Sequence, residues 1–153
     1  MSYVLGRKSL AELEGVEPRL VSVVKMAIRL TEQDFSVHDG IRTLKEQEEY
    51  VRRGVSKTMN SKHLAQPDGF GHAVDLVPYI NGQLRWEWKP IYILMEAVKQ
   101  SAIDHDVKLR WGGVWDRTLN DLGDLEHEVE SYVARRRAAG KRAFIDGPHV
   151  ELL

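Results

Sequence analysis

Residues 71–86 read Gly71-His72-Ala73-Val74-Asp75-Leu76-Val77-Pro78-Tyr79-Ile80-Asn81-Gly82-Gln83-Leu84-Arg85-Trp86. The stretch Ala73–Ile80 has strand character, and Asn81-Gly82 is a strong hairpin signal before Gln83–Trp86. Upstream, 55–71 is loop-like, polar and rich in glycine, with Pro67. Before it, Thr43 fits the N-cap of a helix over Leu44–Arg53, with Glu46 completing a capping box and Gly54 as the stop. Phe35–His38 is a short β-type run ending in the turn pair Asp39-Gly40. Two helices open the chain, over Ser9–Glu14 and Pro18–Leu30. In the second, Leu20, Val21, Val24 and Ile28 fall on one face, and Pro18 sits where a first-turn proline is tolerated. Downstream, Lys89–Asp104 is a long amphipathic helix, Val107–Trp111 a strand, Asp124–Ala139 a charged helix and Gly147–Leu152 a closing strand. Helices and short strands interleave without a βαβ rhythm. The expected class is therefore α+β: a small, mainly antiparallel sheet flanked by helices.

The chain has 153 residues, 42% hydrophobic and 29% charged, with a net charge of −1. That length suits one globular domain with a real core, and no repeat or linker divides it. The near-neutral balance gives no electrostatic address for nucleic acid, and the basic cluster is confined to 135–142. Cysteine is absent, which excludes thiolate ligands, a cysteine nucleophile and disulfides. A metal here must be held by histidine and carboxylate. The N-terminal residues carry no apolar stretch of signal-peptide length, and no window approaches a membrane span. The expectation is synthesis in the cytoplasm without stable membrane association.

Six histidines occur, at 38, 63, 72, 105, 127 and 149. A catalytic zinc needs about three protein ligands and an open position, on rigid strands or their ends. Two segments combine histidine and carboxylate in a glycine-rich setting: Ser61 to Asp75, containing His63 and His72, and Asp146-Gly147-Pro148-His149-Val150-Glu151. Neither is a His-Glu-x-x-His helix.

The order Ser61-x-His63, then Gly71-x-Ala73-x-Asp75, then Asp146-x-x-His149 resembles the LAS-type metallopeptidases. These comprise the D-alanyl-D-alanine carboxypeptidases and dipeptidases and the L-alanyl-D-glutamate peptidases of phage endolysins. Gly40-Ile41-Arg42-Thr43 followed by Gln47 resembles that family's arginine segment and its helix. Val77–Gly82, Trp111-Gly112-Gly113-Val114-Trp115 and Gly147–Leu152 are similar to the phage endolysin branch, so the likeness spans nearly the whole chain. One departure is spacing: His63 and Asp75 are twelve positions apart, more than is usual, which reads as a loop insertion around Gln66–Phe70. A second is the charged helical insertion over Asp124–Arg142. Both insertions are expected to flank the cleft.

The resemblance implies a hedgehog/D-Ala-D-Ala peptidase-like single domain holding one zinc on His63, Asp75 and His149. It implies Asp146 as the acid/base and Arg42 as the group facing the substrate carbonyl or oxyanion, with Ser61, Gln47 and Trp115 on the substrate side. On a strand, positions 72 and 75 point to opposite faces, which leaves His72 outside the ligand set. Glu151 shares a strand face with His149 and fits either a contact to that ligand or plain packing. His38, His105 and His127 read as structural or exposed. The run Arg135–Arg142 reads as a solvated helix face, with attraction to anionic wall polymer as the rival. The implied activity is endolytic cleavage of the L-alanyl-D-glutamate bond of peptidoglycan stem peptides by a monomer. It would be made in the host cytoplasm, reach periplasmic peptidoglycan after membrane permeabilisation, and carry no separate wall-binding domain. A D-alanyl-D-alanine carboxypeptidase and a non-hydrolytic zinc module remain as alternatives.

Overall fold

A computed structural model describes residues 2–56 and 58–153; Met1 and Lys57, the latter within the 55–71 loop, lie outside it. Two short helices lead the chain, α1 (Arg7–Glu12) and α2 (Pro18–Leu30), followed by β1 (Phe35–Asp39) and α3 (Leu44–Arg52). Then come β2 (Ala73–Ile80), β3 (Gln83–Leu84), the long α4 (Trp88–Asp104), β4 (Leu109–Trp111) and β5 (Val114–Thr118). A 3₁₀ turn (Leu119–Asp121), α5 (Leu125–Ala138) and β6 (His149–Leu152) complete it. The strand order is β1-β2-β6-β4-β5, with β3 paired to the end of β2, and every pairing is antiparallel.

The local signals explain the elements they predict. Pro18 opens α2 while the Glu17 carboxylate accepts from Arg19 N–H. Thr43 and Glu46 form a reciprocal capping box at the start of α3. Asn81 and Gly82 take φ of 52° and 77°, the left-handed pair that a tight hairpin between β2 and β3 demands. Several boundaries differ from the sequence reading by one or more residues. The first helix begins earlier, at Arg7. β4 starts only at Leu109, because Val107 N–H is spent on Ala102 O at the end of α4. β5, unforeseen, folds back on β4 directly after Gly112-Gly113.

One face of the sheet is covered by helix. Val74 and Leu76 of β2, Val150 and Leu152 of β6, and Leu109 and Trp111 of β4 pack with Leu20, Val23, Val24 and Ala27 of α2 and Ile91, Leu94, Met95 and Val98 of α4. Ser101 Oγ donates to Val23 O at 2.7 Å, tying the two helices within this core. Period-2 alternation then sends Asp75, His149 and Glu151 to the other face. At β1 a bulge breaks the alternation: Val37 pairs with Leu76 but Asp39 pairs with Asp75. Asp39 is thereby carried to the open face although Phe35 and Val37 point into the core.

Candidate metal centre

Asp75 and His149 are facing partners on the antiparallel strands β2 and β6, so their side chains rise together from the open face. His149 Nδ1 lies 3.3 Å from Asp75 Oδ1, and His63 Nε2 lies 3.3 Å from the same oxygen. One ligand atom from each of the three falls within 4.8 Å of the others. Among the described residues no other group of His, Cys, Asp and Glu is so arranged.

His63 reaches this point from a loop, so its position needs separate support. Its carbonyl accepts from Arg42 N–H at 2.8 Å, and its ring Nδ1 donates to Gly40 O at 2.8 Å. A side chain at residue 40 would collide with the end of α1, since an added Cβ would sit 1.8 Å from Glu12 O. Only glycine lets the chain run close enough for that carbonyl to orient the ring. The extra residues between His63 and Asp75 form a closed loop, with Gln66 N–H on Phe70 O at 2.8 Å and Gly69 N–H on Gln66 O at 2.7 Å. Ala65 and Gly71 pair across its base, which absorbs the longer spacing. His72 is used in that loop, its Nε2 2.7 Å from Asp68 Oδ2, and stays away from the cluster.

The two histidines present opposite ring nitrogens. His63 leaves Nε2 free because Nδ1 is held by a backbone carbonyl. His149 offers Nδ1 because Nε2 bonds Glu151 Oε1 at 2.8 Å. Each potential ligand thus has its tautomer set by a partner behind it, a pattern common in metal sites. Glu151, left open between two roles by the sequence, is a contact to His149. Burial opposes ionisation at Asp75, but hydrogen bonds from His149 and His63 and their charge outweigh it and hold its carboxyl well below the usual range. Burial likewise disfavours the His149 imidazolium, yet Asp75 and Glu151 overcome that and push its pKa up to about 10. A half-buried carboxylate between two buried imidazoles is a donor set that a divalent cation fits.

Around the cluster opens a cleft with a cavity of about 570 Å³. Asp146 lines it, its pKa raised by burial and by the charge of Asp75, against the opposing pull of His149, His63 and Arg42. Arg42 donates to Asp39 Oδ2 from Nε at 2.9 Å and from a terminal nitrogen at 2.5 Å, and to Gln47 Oε1 at 2.8 Å. It also lies 4.5 Å over the Tyr50 ring and 3.6 Å from Asp75. Three of a guanidinium's five N–H groups are spent this way, and the rest remain for a ligand.

Trp115 forms a wall, its ring tilted against His149 at 5.4 Å and its Nε1 donating to Phe144 O. Trp111 is buried in the core with Nε1 on Gly147 O. Ser61 borders the cleft and its Oγ accepts from His63 N–H at 3.1 Å.

Gln47 corrects the expectation that placed it at the substrate. Its side chain is fully buried, accepting from Arg42 and donating to Thr58 O at 2.6 Å and Ser56 Oγ at 2.9 Å. It touches the arginine, not the cleft. The second insertion also differs from expectation: α5 packs by Leu125, Val129 and Tyr132 into the core, and only Phe144 and Ile145 after it reach the cleft. Arg135 there is bonded to Asp116 at 2.9 Å. From the sequence Asp39 reads only as half of the turn pair Asp39-Gly40, with no sign that it meets Arg42.

All of the chain, residues 1–153, matches the family described as phage L-alanyl-D-glutamate peptidase. The chain belongs to that family. An L-alanyl-D-glutamate peptidase of Escherichia phage T5 is 32% identical over 157 residues, covering the whole of both chains. A crystal structure of the L-Ala D-Glu endopeptidase ChiX from Serratia marcescens shares the fold with a TM-score of 0.72 at 30% identity. It covers 98% of this chain and 90% of that one. As in that endopeptidase, a phage L-alanyl-D-glutamate peptidase fold here combines helices with one antiparallel sheet.

Proposed function

We propose that this chain is a zinc-dependent endopeptidase that hydrolyses the L-alanyl-D-glutamate bond of peptidoglycan stem peptides. The observation that carries the reading is the convergence of His63 Nε2, Asp75 and His149 Nδ1 within 4.8 Å, beside a carboxyl group, Asp146, whose pKa is raised. Family membership supplies the bond and the polymer.

When bound on these three residues, zinc supplies Lewis acidity and lowers the pKa of a coordinated water toward neutrality. The chain's residues do the rest. Asp146, held in a partly desolvated position, takes a proton from the attacking water and passes it to the departing D-glutamyl amine. A well-placed general acid–base group contributes roughly 10²–10⁴-fold. Arg42, braced by Asp39, Gln47 and Tyr50, turns its remaining N–H groups toward the oxyanion that develops on the alanyl carbonyl. Because its other bonds fix the guanidinium before substrate arrives, little reorganisation is needed during the reaction. Trp115 closes one wall against His149 and restricts water. Ser61 steadies the turn that carries His63.

Digestion of purified peptidoglycan followed by mass spectrometry tests the reaction. New N-terminal D-glutamyl amines are expected; release of free D-alanine would instead mark a carboxypeptidase, and intact polymer with zinc-loaded protein would refute hydrolysis. Zinc content per chain tests the ligands: His63→Ala or His149→Ala should lower it, whereas His72→Ala should not. Delivery belongs to the same proposal. Made as a monomer in the host cytoplasm, the enzyme reaches periplasmic peptidoglycan once the inner membrane is permeabilised. Producing cells should lyse on addition of a permeabilising agent and not before it.

A further inference from the structure

The charges lining the cleft are unevenly committed. Four carboxylates border it: Asp39, Asp75, Asp146 and Glu151. Among the described residues two lysine or arginine side chains do, Arg42 and Lys62. Arg42 is neutralised by Asp39 and lies 3.6 Å from Asp75. Among the described residues the Lys62 ammonium has no hydrogen bond or ion pair, although its residue is only half-exposed in the cleft wall. Its backbone is fixed: Lys62 O accepts from His72 N–H at 2.7 Å, and the next residue, His63, is locked to Gly40 and Arg42. An uncommitted cation on a rigid base, adjoining the ligand cluster, is poised for an anion.

The proposed substrate supplies one. A D-glutamyl residue has two carboxyl groups and the stem continues through only one, so the other is a free carboxylate. It lies within a few bonds of the scissile nitrogen, and therefore must sit beside the ligand cluster when the bond is positioned for attack. Asp75 is matched by His63 and His149, and Glu151 by His149 and Arg110, but Asp146 has no ion pair among the described residues and would repel that carboxylate unless a cation faced it. Among the described residues the side chain left to do so is Lys62, since Arg42 is held by Asp39 and Gln47 and its remaining N–H groups serve the oxyanion. Resting on the endopeptidase reading, we infer that Lys62 binds the free carboxylate of the D-glutamyl residue and determines the preference for an acidic residue after the scissile bond.

The test uses the zinc-loaded full chain and two synthetic stem peptides, identical except that the free D-glutamyl carboxyl is a carboxylate in one and a carboxamide in the other. The wild-type kcat/KM should favour the carboxylate peptide about tenfold or more, as a charge-assisted hydrogen bond implies. Lys62→Gln should bring the ratio close to one, chiefly through KM, and Lys62→Arg should keep most of it. Unchanged zinc content and thermal midpoint identify variants that remain folded. Calorimetric binding of the D-glutamyl cleavage product should weaken in parallel. Equal cleavage of both peptides by the wild type, or a preference that survives Lys62→Gln, overturns this assignment and leaves the endopeptidase reading intact. Cleavage of neither peptide overturns both.

Discussion

Asp146 and Gln47 are each defined by what surrounds them, and each yields a measurable consequence. Burial and the charge of Asp75 raise the pKa of Asp146, so in the metal-free protein its ionised form is less stable than it would be in the unfolded chain. The sign follows from linkage. Below the unfolded carboxyl pKa of about 3.9 the group is neutral in both states and costs nothing. As pH rises through the folded value the cost appears in full. Asp146→Asn in metal-free protein should therefore raise the thermal midpoint at neutral pH, with the gain shrinking toward pH 4, while turnover is lost and zinc is retained. A destabilising effect at neutral pH would contradict the burial argument. Gln47 gives the opposite profile. Removing its bonds in Gln47→Met leaves a part-buried N–H of Arg42 unpaired, at about 1–3 kcal/mol, measurable by denaturant unfolding. Because Gln47 touches Arg42 and not the cleft, kcat should fall with KM little changed; a rise in KM alone would restore it to the substrate. Gly-x-Arg and the following glutamine were visible in the sequence, but which of them faces ligand depended on burial that no spacing reveals.

Among the elements, those set by local chemistry were legible in the sequence. Pro18–Leu30 matches its helix end to end, and the Thr43–Glu46 capping box is present as read. Such signals involve residues a turn apart, so the chain need not fold to complete them. The β1 bulge and β5 are different. Phe35–His38 alternates in sequence and Asp39 reads as a turn residue; only pairing with β2 extends the strand and inserts the bulge that turns Asp39 toward Arg42. β5 exists because Val114 finds Trp111 across a tight reversal. That reversal also holds the reagent. Asp146 N–H donates to Gly112 O and Gly112 N–H to His149 O, both at 2.9 Å. A Cβ at residue 112 would lie 2.1 Å from Asp146 O. Gly112→Ala should thus push Asp146 away and lower both turnover and thermal midpoint. Gly123→Ala, where an added Cβ meets nothing nearer than 3.8 Å, is the control and should do neither. Equal behaviour of the two variants would show that the close approach at Gly112 is not what places Asp146.

At the scale of the whole molecule, the three proposed zinc ligands come from a loop, a central strand and the last strand, and their meeting depends on the fold as a whole. Zinc on them should stabilise the protein, because the unfolded chain has no such cluster. Free zinc at a hundred times its dissociation constant corresponds to about 2.7 kcal/mol. The thermal midpoint should rise on loading and fall with chelator, and a His63→Ala variant should show little of either shift. Equal shifts in that variant would place the metal elsewhere. The sequence by itself determined the fold class, the main helices, the exclusion of thiolate chemistry and, through ordered motifs, His63, Asp75, Asp146 and His149 as the residues to examine. Periodicity and capping are short-range, and motif order survives in one dimension. Only the tertiary structure decided that Asp75 and His149 face each other across two strands, that Glu151 and Gly40 O set the two imidazole tautomers, and that Gln47 braces Arg42. It also showed that, among the described residues lining the cleft, Lys62 is the cation without a hydrogen bond or ion pair. Those facts are distances between residues far apart in the chain, and such distances come into being only when the sheet closes over its core.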